Sequence, residues 1–309
     1  MFMKRAVNCG LVKADNMKQA ILLLSFGTPR QPSDLLPYLT SIRRGKIPTE
    51  RELKVLTARY DAIGQWDNKL LQTMGEEQKK TLKSLLAIDA MYLAYLHMPD
   101  SMEQAVESIA AAGYTSILCI VTSPFYSMVG TGAYERKLHS ILRAYPDISC
   151  EIIKSWWNRP QFFEYWRSQL MAANPLQADT ACIFSAHSVP TSTVGSYEDE
   201  VMSASNQIAK MVGLNHWYQA WQSAAPHGEW LGPTIESVIE QALIDGAKRI
   251  VCIPFGFVSD HVEILYDNDI ICRNIAENAG ATYERLPMPN GNTLFMEAMA
   301  KAIRERINK

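Results

Sequence analysis

MEQAVESIAAAG (residues 102–113) followed by TSILCIVTSPFYS (115–127), and TIESVIEQALIDG (234–246) followed by RIVCIPFGFVSDH (249–261), repeat one pattern. In each, apolar residues recur at helical spacing, a glycine closes the stretch, and an unbroken apolar run follows. The spacing predicts a helix with one buried face, Gly113 and Gly246 mark its stop, and the run predicts a strand covered on both faces, as parallel strands are. Two more runs, QAILLLSFGTP (19–29) and TACIFSAHSVP (180–190), have the same character and also end in small, polar or Pro/Gly residues. Run 19–29 matches 180–190, and 115–127 matches 249–261, so one α/β unit is used twice. The expected fold class is α/β, two doubly wound domains with parallel sheets facing each other across a cleft.

The expected division is an N-terminal domain over 19–153, a C-terminal domain over 154–291, and an extension over 1–18. The aromatic-rich KSWWNRPQFFEYW (154–166) reads as a hinge, and the last helix, NTLFMEAMAKAIRERI (292–307), is expected to pack back on the first domain. With 30 Lys plus Arg against 32 Asp plus Glu, the chain has no global attraction for nucleic acid or an anionic membrane, so an anionic ligand needs a local basic cluster. Its six cysteines are scattered without a C-x-x-C pair, which favours a reducing cytoplasm and disfavours a dedicated zinc or iron–sulfur site. No signal-peptide core and no run of about 18 apolar residues is present, so no membrane span is expected.

Ligands of doubly wound sheets bind outside the carboxyl ends of the strands, which draws the chemistry from SFGTP, SPFYS, SAHSVP and FGFVSDH together. His187 follows the run ACIFSA directly, so a strand tip delivers it to that edge. A neutral imidazole there can bind a metal or accept a proton; the plainer alternative is a histidine that only bonds loop backbone. In PFGFVSDHVEILYDNDI (254–270) the strand is expected to end near Val258 and a helix to begin after Ser259 or Asp260, either serving as N-cap. Glu263 and Asp267, four apart, would share one face of that helix and could guide a divalent cation or relay protons; the alternative is a solvated acidic helix start. His261, two residues before Glu263, is expected to orient or support.

The loop SIRRGKIP (41–48) brings Arg43, Arg44 and Lys46 together, and RYDAIG (59–64) adds Arg59 and Tyr60. Arginine forks suit a ligand with several carboxylate arms, although a single Arg-Arg pair is more often an ordinary exposed loop. Phe26, Phe125, Tyr126 and Tyr134 fall at or after strand ends, where they could line a flat apolar pocket fit for a macrocycle. No G-x-G-x-x-G, P-loop, G-x-S-x-G or H-E-x-x-H motif occurs, so nucleotide cofactors and the common hydrolases have no support.

In combination these segments resemble the ferrochelatase family over residues 20–308, closest to the Gram-positive, coproporphyrin-using branch. The carriers are SAHSVP, GFVSDHVEILYDND, IRRGKIP, RYDAIG, WQS (221–223) with WLGP (230–233), and MPN (288–290). The resemblance implies two Rossmann-like domains with a porphyrin between them, and insertion of Fe2+, itself a substrate, into that porphyrin without a cofactor. It implies a catalytic pair of His187 and Glu263, with Asp267 continuing the metal path. Phe26, Arg43, Arg59, Tyr60, Tyr134 and Trp221 are implied as porphyrin contacts, and the implied partners are porphyrin and ferrous iron, with the chain a monomer. Departures cluster on the porphyrin side. Phe26 stands where a tyrosine is frequent, and a phenyl ring cannot ligate iron; Gln65 and Asp67 replace a glycine and a serine; Ile271 replaces the next carboxylate after Asp267. The expected mechanism holds His187 neutral, ready to take a pyrrole proton or pass iron to a macrocycle bent by the cleft. A weakly active paralogue that binds or delivers haem, and a two-domain binding protein of periplasmic type, are the alternatives.

Overall fold

A computed structural model describes residues 18–66, 70–225 and 227–307. The first half runs β1 (Gln19–Ser25), α1 (Leu35–Ile42), α2 (Glu50–Ala62), α3 (Leu70–Leu86), β2 (Met91–Tyr95), α4 (Ser101–Ala111), β3 (Ser116–Val121), α5 (Thr131–Leu142) and β4 (Ser149–Ile153). The second continues with α6 (Pro160–Ala172), β5 (Thr180–His187), α7 (Tyr197–Val212), β6 (Tyr218–Gln222), α8 (Ile235–Ile244) and β7 (Arg249–Ile253). A π-helix (Glu263–Cys272), α9 (Arg273–Asn278), β8 (Thr282–Arg285) and α10 (Thr293–Ile307) complete it.

The chain forms two four-stranded sheets of identical topology, β2-β1-β3-β4 and β6-β5-β7-β8, and every pairing is parallel. The internal repeat read from the sequence is therefore the architecture, strand for strand. The four apolar runs are β1, β3, β5 and β7, the two central strands of each sheet. The four edge strands β2, β4, β6 and β8 escaped that reading: each is only partly buried, and polar residues interrupt β4, β6 and β8, although MYLAY of β2 is apolar throughout. Gly113 and Gly246 end their helices with φ of +76° and +99°, the left-handed region a Cβ disfavours.

Alternate residues of each central strand serve different cores. Ile21 and Leu23 of β1, Leu118 and Ile120 of β3, Cys182 and Phe184 of β5, and Val251 and Ile253 of β7 share one cluster between the sheets. Ala20, Leu22 and Leu24 face the outer layer with Met102, Val106 and Ile109 of α4, while Ile183, Ile250 and Cys252 face Ile235 and Ile239 of α8. α10 packs on α3 and α6 inside the central layer, which explains why its Phe295, Met296, Met299 and Ile303 are all buried.

The segment 154–166, expected to act as a hinge, is packed into the core. Trp156 is fully buried, donates its indole N–H to the Val121 carbonyl at 3.0 Å, and packs edge-on against Phe162 and Phe295. Trp157 stacks on Phe125, itself edge-on to Phe255 of the second half. Large aromatics meet here because the helices between the sheets need bulky side chains to fill the space. Among the described residues no helix is long and apolar enough to cross a membrane.

Candidate active site

His187 is the last residue of β5, at the carboxyl edge and beside the point where strand order reverses between β5 and β7. Three contacts fix it. The Tyr197 hydroxyl donates to its backbone carbonyl at 2.9 Å, its Nδ1 meets the Ser188 carbonyl at 2.5 Å, and its Nε2 lies 3.5 Å from Glu263 Oε2. Because a carbonyl can only accept, Nδ1 carries a proton, and the titrating nitrogen is the one aimed at Glu263.

Glu263 reaches this position along a path different from the expected one. β7 ends at Ile253, and the chain folds back over β5, where Gly256 N–H donates to the Ser185 carbonyl at 3.1 Å. A Cβ on Gly256 would lie 2.4 Å from Ala186 Cβ, so the approach requires glycine. The helix then opens at Glu263, and neither Ser259 nor Asp260 caps it. Asp260 is occupied by Asn290 and Arg285, and the Glu263 N–H instead donates to His261 Nδ1 at 3.2 Å. Burial lowers the pKa of His261, keeping that nitrogen an acceptor.

The helix is π, not α: the Arg273 N–H reaches back five residues to the Asn268 carbonyl. Such helices are uncommon and concentrate at functional sites. The wider turn sends the two carboxylates to different partners. Glu263 faces His187, while Asp267 accepts from Ser223 at 3.0 Å and lies 3.4 Å from Arg59, whose guanidinium also covers the Tyr266 ring. Among the described residues no three His, Cys, Asp or Glu side chains converge as a metal cluster.

Burial opposes charge on His187, but the Glu263 carboxylate and the Ser188 carbonyl outweigh it and push its pKa up to about 9. Burial likewise opposes charge on Glu263, and His187 overrides it, holding the carboxyl at about 2. The pair is therefore imidazolium and carboxylate at neutral pH, which corrects the expectation of a neutral His187. Burial lifts Asp267 to about 6 against the opposing pull of Arg59, with Glu263 adding to the rise.

The sequence-picked aromatics separate. Phe26 is 45 % exposed at the carboxyl end of β1, beside His97 and Tyr38. Tyr60 is buried and stacked on Trp66; Tyr134 is buried in the outer core; Trp221 is buried behind His187 against Tyr197; and Phe125 belongs to the core between the sheets. These four stand within the packing and do not form an open wall. Arg43 is paired with Glu52, which also takes the Thr49 N–H. That capping box, T-x-x-E over 49–52, is written in the sequence and could have been read there. Gln65 is buried and bonds the Pro29 carbonyl, while Asp67, Asn68 and Lys69 lie outside the described residues. Sequence reasoning also missed Tyr197 and Gly256, whose signals exist only once β5 and the loop after β7 are adjacent.

A sequence model of ferrochelatase matches residues 18–307. The chain belongs to the ferrochelatase family. It is a metal chelatase of the lyase class, and its curated relatives are consistent with that. It is 33% identical over 302 residues to the coproporphyrin III ferrochelatase of Geobacillus kaustophilus, spanning 93% of this chain and 95% of the relative. The protein of the same name from Staphylococcus aureus strain Mu50 is 31% identical over 303 residues, spanning 93% and 98%. Among solved structures, the cobalt complex of the sirohydrochlorin chelatase SirB of Bacillus subtilis subspecies spizizenii superposes with TM-score 0.57 at 11% identity, covering 94% of this chain and 95% of SirB. The structure of CbiX gives TM-score 0.54 at 13% identity, covering 93% and 98%. At such identities these two speak for the chelatase-like fold alone.

Proposed function

We propose that this ferrochelatase-family chain inserts Fe2+ into coproporphyrin III in haem biosynthesis, with His187 and Glu263 as the catalytic pair. The observation that carries the reading is the 3.5 Å approach of His187 Nε2 to Glu263 Oε2 at the carboxyl edge of the second sheet, a half-exposed acid–base pair built from the end of β5 and the first residue of the π-helix. The names of the relatives favour coproporphyrin III, and protoporphyrin IX is the competing substrate.

The ion pair gives a concrete division of labour. Insertion must remove two pyrrole protons while iron sheds its water. With Nδ1 committed to the Ser188 carbonyl, release of the shared proton to solvent leaves a lone pair on Nε2 that accepts one pyrrole proton or passes iron inward, water carries off the other pyrrole proton, and Glu263 compensates the charge either way. Asp267, poised near neutrality beside Arg59, extends the path along the π-helix. Arg59 and Arg43 are already paired with Asp267 and Glu52, so a porphyrin carboxylate that engages them exchanges one anion for another. Phe26, Tyr60, Tyr134 and Trp221 act as the apolar support for the ring, Phe26 in direct contact and the buried three behind it. The chain works as a cytoplasmic monomer without a resident cofactor, and its divisions at 153 and 291 separate the two sheet-centred units.

Anaerobic mixing of protein, ferrous iron and free-base porphyrin tests this, with loss of free-base fluorescence as the signal. The expected result is faster metallation of coproporphyrin III than of protoporphyrin IX, abolished by His187→Ala while porphyrin affinity stays within a few-fold. Tight porphyrin binding without metallation would overturn the reading in favour of a binding or delivery protein.

A further inference from the structure

Glu263 opens the π-helix, and a side chain remote from the cleft ties that helix down. Arg285, the last residue of β8, is mostly buried. Its Nε and Nη2 donate to the two oxygens of Asp269 at 2.7 and 2.8 Å, and Nη2 also lies 3.2 Å from Asp260 Oδ1. One guanidinium thus holds the loop just before the π-helix and a residue inside it. Asn290, with φ of +52°, grips Asp260 from the other side through both its amide atoms. The next residue, His261, accepts the Glu263 N–H. A chain of contacts therefore runs from Arg285 through Asp260 and His261 to the backbone of Glu263.

The geometry points to Arg285 as a positioning residue for metal insertion, one that fixes Glu263 against His187 by clamping Asp260 and Asp269 together. The inference rests on the His187–Glu263 reading above. The physical reason is the helix itself: a π turn is an uncommon conformation that persists only when its surroundings over-determine it. Two carboxylates flanking its first turns supply handles, and only a planar fork with several donors can hold both at once. A lysine offers a point charge and cannot span them. Misplacing a reacting group by about 1 Å is enough to cost roughly a hundred-fold in rate.

Three variants test it: Arg285→Gln, Arg285→Lys and Asp269→Asn. In Arg285→Gln, kcat for metallation falls roughly ten- to hundred-fold, while KM for the porphyrin changes by less than about two-fold, since no porphyrin contact is removed. Arg285→Lys recovers little of that loss, and adding Asp269→Asn to Arg285→Gln makes it no worse, because both break one clamp. A second readout needs no activity: in the metal-free protein, amide hydrogen exchange at Glu263 is roughly ten-fold faster in Arg285→Gln, while the amides of β5 keep the wild-type rate. Full rescue by lysine, a KM-dominated defect, or wild-type exchange at Glu263 overturns the assignment. Should Arg285→Gln fail to fold, Asp269→Asn carries the same kinetic and exchange expectations. If the wild-type protein metallates no porphyrin, the functional reading fails, and the exchange measurement still decides whether Arg285 positions Glu263.

Discussion

His187 was legible because it follows an apolar run directly, which places it at the carboxyl edge of a strand. Glu263 stood out as one of two carboxylates four apart on the helix expected after the last run, and its pairing with His187 came from the family resemblance. Their charge state was not legible, since it depends on a 3.5 Å distance between residues 76 positions apart in the chain. The consequence for pH follows from the two shifts. His187 is raised from 6.5 to about 9, so its share of the pair's stability is complete below pH 6.5 and is lost as pH rises through 9. Glu263 is lowered from 4.5 to about 2, so its share is complete above pH 4.5 and is lost as pH falls through 2. Removing the carboxylate isolates the opposing influence. In Glu263→Gln only burial and the remaining neighbours act on the imidazole, and the His187 pKa, followed by NMR of its ring protons, falls well below its wild-type value of about 9. A His187 that still titrates near 9 in that variant means that another anion, such as Asp267, holds its proton.

Elements were legible in proportion to their burial. The strands covered on both faces announced themselves, and the helix stops at Gly113 and Gly246 were placed by residue type alone. The edge strands and the π-helix were not: EILYDNDIIC offers no sequence signal that separates a five-residue turn from a four-residue one, and the tie that stabilises it comes from Arg285, outside the segment. The loop between β7 and that helix is the element on which the site turns, and Gly256 is its tightest point. Gly256→Ala sets a methyl 2.4 Å from Ala186 Cβ and 2.6 Å from Ala186 Cα. The backbone atom cannot yield by rotating a side chain, so the loop must lift from β5 and carry Glu263 away from His187. Urea unfolding should show a loss of roughly 1–3 kcal/mol, and metallation should fall by more than porphyrin affinity does. Wild-type stability and rate together would mean that the loop has slack, and that the contact does not set the His187–Glu263 distance.

Across the whole molecule, duplication of the α/β unit was readable because both copies keep the same apolar rhythm, whereas the relation between the copies was not. Segment 154–166 mixes Trp and Phe with Asn, Arg and Pro, a composition that fits an exposed connector as well as a core, and only the structure shows Trp156 and Phe162 fully buried between the sheets. The consequence is mechanical. One continuous core takes side chains from β1, β3, β5 and β7, so neither sheet can lose its inner face without exposing that of the other. Unfolding should therefore be a single transition, with far-UV circular dichroism and tryptophan fluorescence giving coincident urea curves. Trp156 is the sharpest probe, because its ring meets Phe162 and Phe295 while its N–H satisfies the Val121 carbonyl at the end of β3. Trp156→Ala leaves a cavity in the shared core and an unpaired carbonyl, a loss of roughly 3–5 kcal/mol for a buried Trp. That loss should lower the midpoint of both signals equally, and amide exchange in β1 and in β7 should accelerate by the same factor. If exchange accelerates in β1 alone, the two halves unfold separately, and the core between the sheets is an interface between independent domains.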